Sequence, residues 1–156
     1  LNGQKKVNLL ITEGLKRVTG CEVVKANLAG APIPPYPYIS FSILSMDTRK
    51  GTYSMGDGQE KYIPLTQTWS FTVQGEDDDG TLEIAMKARD WLEEAGRILL
   101  GDGGVVVRKT GPIQNRDILL TVGYEYRKGF DVVLAMQNLV GETGREVIEN
   151  ASIKEE

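Results

Sequence analysis

A chain of 156 residues with 40% hydrophobic and 26% charged side chains and a formal charge of −4 has the make-up of an ordinary globular protein, expected to form one domain. It holds no histidine and a single cysteine, Cys21, which excludes Ser-His-Asp and Cys-His nucleophile pairs, histidine-ligated zinc and a disulfide within one chain. The acidic balance argues against general nucleic-acid binding, and no apolar run approaches the ~18 residues of a membrane span.

Residues 4–18 have helical periodicity. Val7, Leu10, Ile11, Leu15 and Val18 share one face, while Lys5, Lys6, Lys16 and Arg17 lie off it. Gly20 is the expected C′ residue of this helix. Residues 22–25 read as a short strand. Residues 28–37 form a proline-rich arm in which Pro34, Pro35 and Pro37 lack an amide donor, so the arm is excluded from a sheet interior and should be extended and stiff. A strand over 38–46 follows, with Ile39, Phe41 and Ile43 on one face. Residues 47–61, with Gly51, Gly56 and Gly58, read as a polar loop whose length points to a function or to ordering by a partner.

Over 62–74, Leu65, Trp69, Phe71 and Val73 alternate with Thr66, Thr68, Ser70 and Thr72. This period of two predicts a strand with one apolar face and one hydroxyl-rich face, the latter turned to water or to another subunit. Glu76, Asp77, Asp78 and Asp79 then form an acidic turn before a helix over 81–100, with Asp79 or Thr81 as N-cap. Its stripe is Ile84, Ala88, Trp91, Ala95 and Ile98, widened by Ala85, Leu92 and Leu99; Leu82 and Met86 fall outside it. Gly101 to Gly104 stop the helix.

A strand over 104–109, a turn over 110–116 and a long strand over 117–127 come next, the last with Ile118, Leu120, Val122, Tyr124 and Tyr126 in phase. Lys128-Gly129 reads as a hairpin turn and 130–136 as the returning strand. The C-terminal section, 138–156, is expected to hold an edge strand over 145–153 and a tail. Strands and helices do not alternate as βαβ units, so the fold class is α+β: a mainly antiparallel sheet with two helices packed on one face.

Catalytic signals are weak. The acidic turn lacks the first and twelfth ligands of a calcium loop, because Gly75 and Met86 occupy those positions. The glycines at 101–104 follow a helix instead of opening one, the wrong order for a phosphate cradle. Cys21 has no histidine to activate it. Tyr36, Tyr38, Tyr124 and Tyr126 lack the interleaved basic residues of a single-strand binder.

Several segments recur together in one order: Pro35-Tyr36-Pro37-Tyr38-Ile39-Ser40-Phe41, Thr66 to Gln74, Ala85 to Trp91, Asn115-Arg116-Asp117, Tyr124 to Asp131, and Glu146-Val147-Ile148-Glu149. In that order they resemble the phage neck terminator (tail terminator) family of tailed phages, prophages and phage-tail-like particles, from about residue 4 to 153. The resemblance implies a structural virion protein of the neck, assembled in the bacterial host cytoplasm. It implies an α+β subunit of a ring, usually of six copies, that caps the tail tube and joins it to head-side connector or sheath proteins. DNA only passes through the lumen, and no membrane, cofactor or catalytic residue is involved. On this reading Leu82, Met86, Pro34, Pro35, Tyr36, Arg49 and Lys50 are candidate subunit-interface residues. Asp77, Asp78 and Asp79 are candidates for the lumen or a ring edge, where negative charge would release no phosphate counterions and so would not hold DNA. The alternatives are a head-side stopper or adaptor in the same assembly, and a small α+β ligand-binding domain or carboxylate-based enzyme, which a deep pocket of convergent polar groups would mark.

Overall fold

In the computed structural model, residues 3–27, 30–48 and 64–137 are described. The elements run α1 (Gly3–Thr19), β1 (Glu22–Lys25), β2 (Tyr38–Thr48), β3 (Pro64–Gly75), α2 (Asp78–Glu93), α3 (Ala95–Asp102), β4 (Val106–Thr110), β5 (Gln114–Asn115), β6 (Ile118–Leu120) and β7 (Gly123–Gln137). The main strand order is β1-β2-β3-β7-β4, and β5 and β6 also pair with β7. Only β1–β2 is parallel among these pairs. The fold is therefore α+β with a mostly antiparallel sheet. Arg49, Lys50, most of the expected 47–61 loop and the expected strand over 145–153 lie outside the described residues.

The alternation in β3 builds the core. Leu65, Trp69, Phe71 and Val73 are buried, and register places Phe41 and Phe130 on either side of Phe71, and Val132 beside Trp69. Val7, Ile11 and Leu15 of α1, Ala85, Ala88 and Leu92 of α2, and Leu100 of α3 belong to the same buried cluster. One polar residue, Gln67, sits in this apolar phase. It is satisfied there, accepting the Trp69 indole N–H at 2.9 Å and donating to Gln4 Oε1 at 2.6 Å. Gly20 ends α1 with φ of 73°, as its C′ position requires. Val18, expected on the buried face, is exposed.

The helix expected over 81–100 is two helices, so the described residues hold three and not two. The N-cap is Asp77, neither Asp79 nor Thr81: its carboxylate accepts the Gly80 N–H at 2.6 Å, and Thr81 Oγ1 instead donates to the Asp77 carbonyl. The break falls at Glu94. It brings Gly96 against the Trp91 ring, where an added Cβ would come within 2.5 Å of the ring, and Trp91 also covers Gly14 of α1. The turn between the two helices rotates the stripe, so that Gly96 and Leu100 face inward and Ile98, expected inside, is 70% exposed.

A second correction concerns Lys128-Gly129, which is no turn but the middle of β7, with Gly129 opposite Thr72. A Cβ at Gly129 would lie 2.4 Å from Arg116 Nη1 and 2.5 Å from the Phe71 carbonyl oxygen. The glycine marks a side chain crossing a strand. The chain reverses instead at Thr121-Val122, so the strand expected over 117–127 divides into β6 and the start of β7. Because a backbone oxygen blocks one side, Gly129→Ala is expected to cost about 1–3 kcal/mol by overpacking. Urea denaturation checks this, and an unchanged midpoint would return Gly129 to a permissive turn.

A candidate assembly surface

β7 is longer than the strand beside it. Its last pairing with β3 is Tyr126 with Gly75; from there to Gly123 it pairs with β6 alone, as a two-stranded ribbon extending past the end of β3. Alternation puts Tyr124, Tyr126 and Lys128 on the same side of β7 as the core residue Phe130. Leu119 stands directly opposite Tyr124, so it shares that side. The Tyr124 and Tyr126 rings stack with centroids 6.4 Å apart. Leu119 is 71% exposed, Tyr124 64% and Val122, at the tip, 97%. A ribbon of two strands is marginal alone, and a projecting run of apolar side chains is the kind of surface that a partner covers.

The base of the ribbon is held by ions. Lys128 Nζ lies 2.8 and 3.0 Å from the two Asp117 carboxylate oxygens and 2.8 Å from Asp78 Oδ1, and its side chain is only 8% exposed. Asp117 also accepts the Arg127 N–H at 2.7 Å. Burial pushes the Asp117 carboxyl up, but the bonds from Lys128 and from the Arg127 amide outweigh it and hold it below the ordinary carboxylate range. Burial likewise opposes charge on Lys128, and its bonds to Asp117 and Asp78 reverse that and raise it. Three segments meet here: the first turn of α2, the connector into β6, and β7. Asp78, Leu82 and Met86 follow one another at four-residue spacing, so the two exposed apolar residues share the flank of α2 that touches the triad. Arg89, further along that flank, donates to the Gly111 carbonyl at 2.7 Å.

The other face of the sheet is polar and self-satisfied. Arg116 Nη1 donates to Ser70 Oγ and Thr72 Oγ1, both at 2.9 Å, and Nη2 pairs with Asp131 at 3.2 Å. Alternation puts Glu125 and Arg127 on this side as well. Buried Glu125 accepts from Arg127 at 2.7 and 2.9 Å and from the Tyr36 hydroxyl at 2.9 Å. Burial, and then the Glu125 carboxylate, raise the Tyr36 phenol above its ordinary range. Tyr36 stacks on Tyr38 at 5.9 Å, and the Tyr36–Pro37 peptide is cis. Between the arm and the sheet lies an open groove of about 420 Å³, walled by Pro32, Pro34, Tyr38, Thr72 and Arg127 among others. Among the described residues no carboxylate lines this groove, the Glu125 that binds its Arg127 is engaged, and no buried side-chain nitrogen or oxygen lacks a partner.

A family model described as phage neck terminator protein matches residues 9–156. The chain belongs to the phage neck terminator family. It is a structural component of the virion neck, where it works by contact with tail and head-side proteins. No curated protein matches it.

For a neck terminator, the placement of apolar surface carries more meaning than any single polar group. Leu82 and Met86 stand together beside the ribbon, whereas Pro34, Pro35 and Tyr36 lie on the arm at the opposite face of the sheet, so the candidate interface residues fall on two surfaces. Of the three aspartates, Asp77 is the cap, Asp78 is in the triad and Asp79 is exposed; all stand at the end of α2 next to the ribbon. Sequence pattern did not mark Leu119 and Val122 as surface residues, and it placed Arg116 in a family motif without its bonds to Ser70 and Thr72. The available signals were Gly123, with φ of 136° just after the reversal, and a glycine inside a strand pattern at 129.

Proposed function

We propose that this neck terminator closes with copies of itself into a ring, six in the arrangement the family resemblance implies. The ring caps the tail tube and joins it to the head-side connector, and makes or breaks no covalent bond. The observation that carries this reading is the ribbon, where Leu119, Val122 and Tyr124 are exposed together on a two-stranded projection that reaches past the end of β3. The exposed carboxylates of Glu76 and Asp79 beside it suit a ring edge past which DNA slides without losing its counterions.

The purified chain mixed with isolated tail tubes should form a collar at one tube end in electron micrographs. Val122→Asp combined with Leu82→Asp is expected to lower collar occupancy by about tenfold or more, because each places a charge in a desolvated contact. Its urea midpoint should stay near that of the parent, since both side chains are exposed. Collars of parental yield from the double variant would overturn the reading. Binding to head-side connectors with none to tubes would make the protein a stopper.

A further inference from the structure

Resting on that reading, we propose a partner for the ribbon end: the α1–α3 face of the next copy. Both surfaces expose apolar side chains, and acidic residues predominate around the first while basic residues predominate on α1 of the second. At the ribbon end, Leu119, Val122, Leu82 and Met86 stand with the exposed carboxylates of Glu76, Asp79 and Glu83, and with exposed Lys87 after Met86. On the helical face, exposed Leu9 lies on α1 with Lys6, Arg17 and a Lys16 that is paired with Glu22 at 2.8 Å, and with Glu13 one turn on; α3 offers Ile98, Leu99 and Arg97, between exposed Glu94 and Asp102. The two helices are neighbours, because a Cβ on Gly103 would come within 2.9 Å of the Leu10 side chain. Their exposed apolar residues therefore stand on adjacent elements, with the excess of basic residues on α1.

The chain cannot join these surfaces within itself. The ribbon base is tied to the first turn of α2, and α3 begins after its last, so the 16 residues of α2 hold the ribbon base roughly 24 Å from the start of α3 at 1.5 Å per residue, with Met86 midway between. A symmetric contact would set ribbon end against ribbon end, carboxylate against carboxylate, which costs energy. Contact between the two different surfaces instead matches acid to base. It is heterologous, so it continues from copy to copy and ends only in a ring or a filament.

Cross-linking tests the pairing. Val122→Cys and Ile98→Cys are made separately in the full chain, where the native Cys21 is buried, and both variants are assembled on tail tubes and treated with a short bis-maleimide. An equimolar mixture should yield covalent dimers that neither variant yields alone, and the two substitutions in one chain should yield a ladder up to the full ring. A sedimenting ring in which the Val122→Cys variant cross-links to itself, or in which the mixed variants do not link, overturns this pairing and leaves the ring reading standing. A chain that forms no ring, with or without tubes, overturns both.

Discussion

Trp69→Ala is expected to lower the stability of this protein by about 3–5 kcal/mol, the largest effect of any single truncation in the sheet. The side chain is fully buried, lies nearly parallel to Phe41 with centroids 5.1 Å apart, and approaches Phe71 at 5.9 Å. Its removal leaves a cavity at the meeting point of β2, β3 and α1, and removes the N–H that Gln67 accepts. Gln67 Oε1 would keep only the long 3.4 Å contact from Gln4, so a desolvation cost adds to the lost packing. Trp69→Phe separates the two contributions. It keeps most of the ring contact and should cost about 1–2 kcal/mol, the scale of one buried bond left unmade. Urea midpoints of the three proteins decide it. An alanine variant within experimental error of the parent would mean that this face of β3 is not the core.

How far the fold could be read from sequence depends on how far apart the deciding residues lie. β3 was legible because one-sided burial imposes a local rule, alternation, on every residue from Leu65 to Val73. α1 was legible for the same reason at period 3.6. The end of α2 was not, because it depends on Trp91 meeting Gly14 and Gly96, and the first of these belongs to another helix. Its start was ambiguous because three aspartates in a row can each cap, and the choice fell to Asp77 close behind the end of β3 at Gly75. Gly129 misled in a more instructive way. Lys-Gly between apolar runs is good turn chemistry, but this glycine serves an arginine that also binds Ser70 and Thr72 on the neighbouring strand.

The candidate surface follows the same division. Leu82 and Met86 stood out because a single helix period assigns them to no buried stripe, and they are exposed. The ribbon did not stand out. Ile118, Leu120, Val122, Tyr124 and Tyr126 keep phase across the reversal, so periodicity alone makes one strand of what is a hairpin. Nor could sequence pair Lys128 with Asp78 and Asp117, although that triad is what sets the ribbon against α2.

Removing the centre of the triad should therefore have the second large effect. Lys128→Met keeps the length of the side chain and deletes its charge, leaving Asp117 partly buried beside an apolar group. About 3 kcal/mol is expected, the low end for breaking a buried ion pair, because Asp117 keeps the Arg127 amide and Asp78 can turn to water. Adding Asp117→Asn should recover part of the loss, since no uncompensated charge is then left behind. The pH dependence carries a sign that packing alone would not produce. Lys128 is raised above its ordinary 10.5 in the fold, so its contribution is complete below that value and fades as pH climbs through the folded pKa. Asp117 is depressed below its ordinary 3.8, so its contribution is complete above that value and fades as pH drops through the folded pKa. The stability difference between parent and Lys128→Met should accordingly be flat between those limits and shrink outside both. A difference that does not change from mildly acidic to strongly alkaline solution would show that Lys128 serves as a packed aliphatic stem and that the ribbon is set by something other than these three charges.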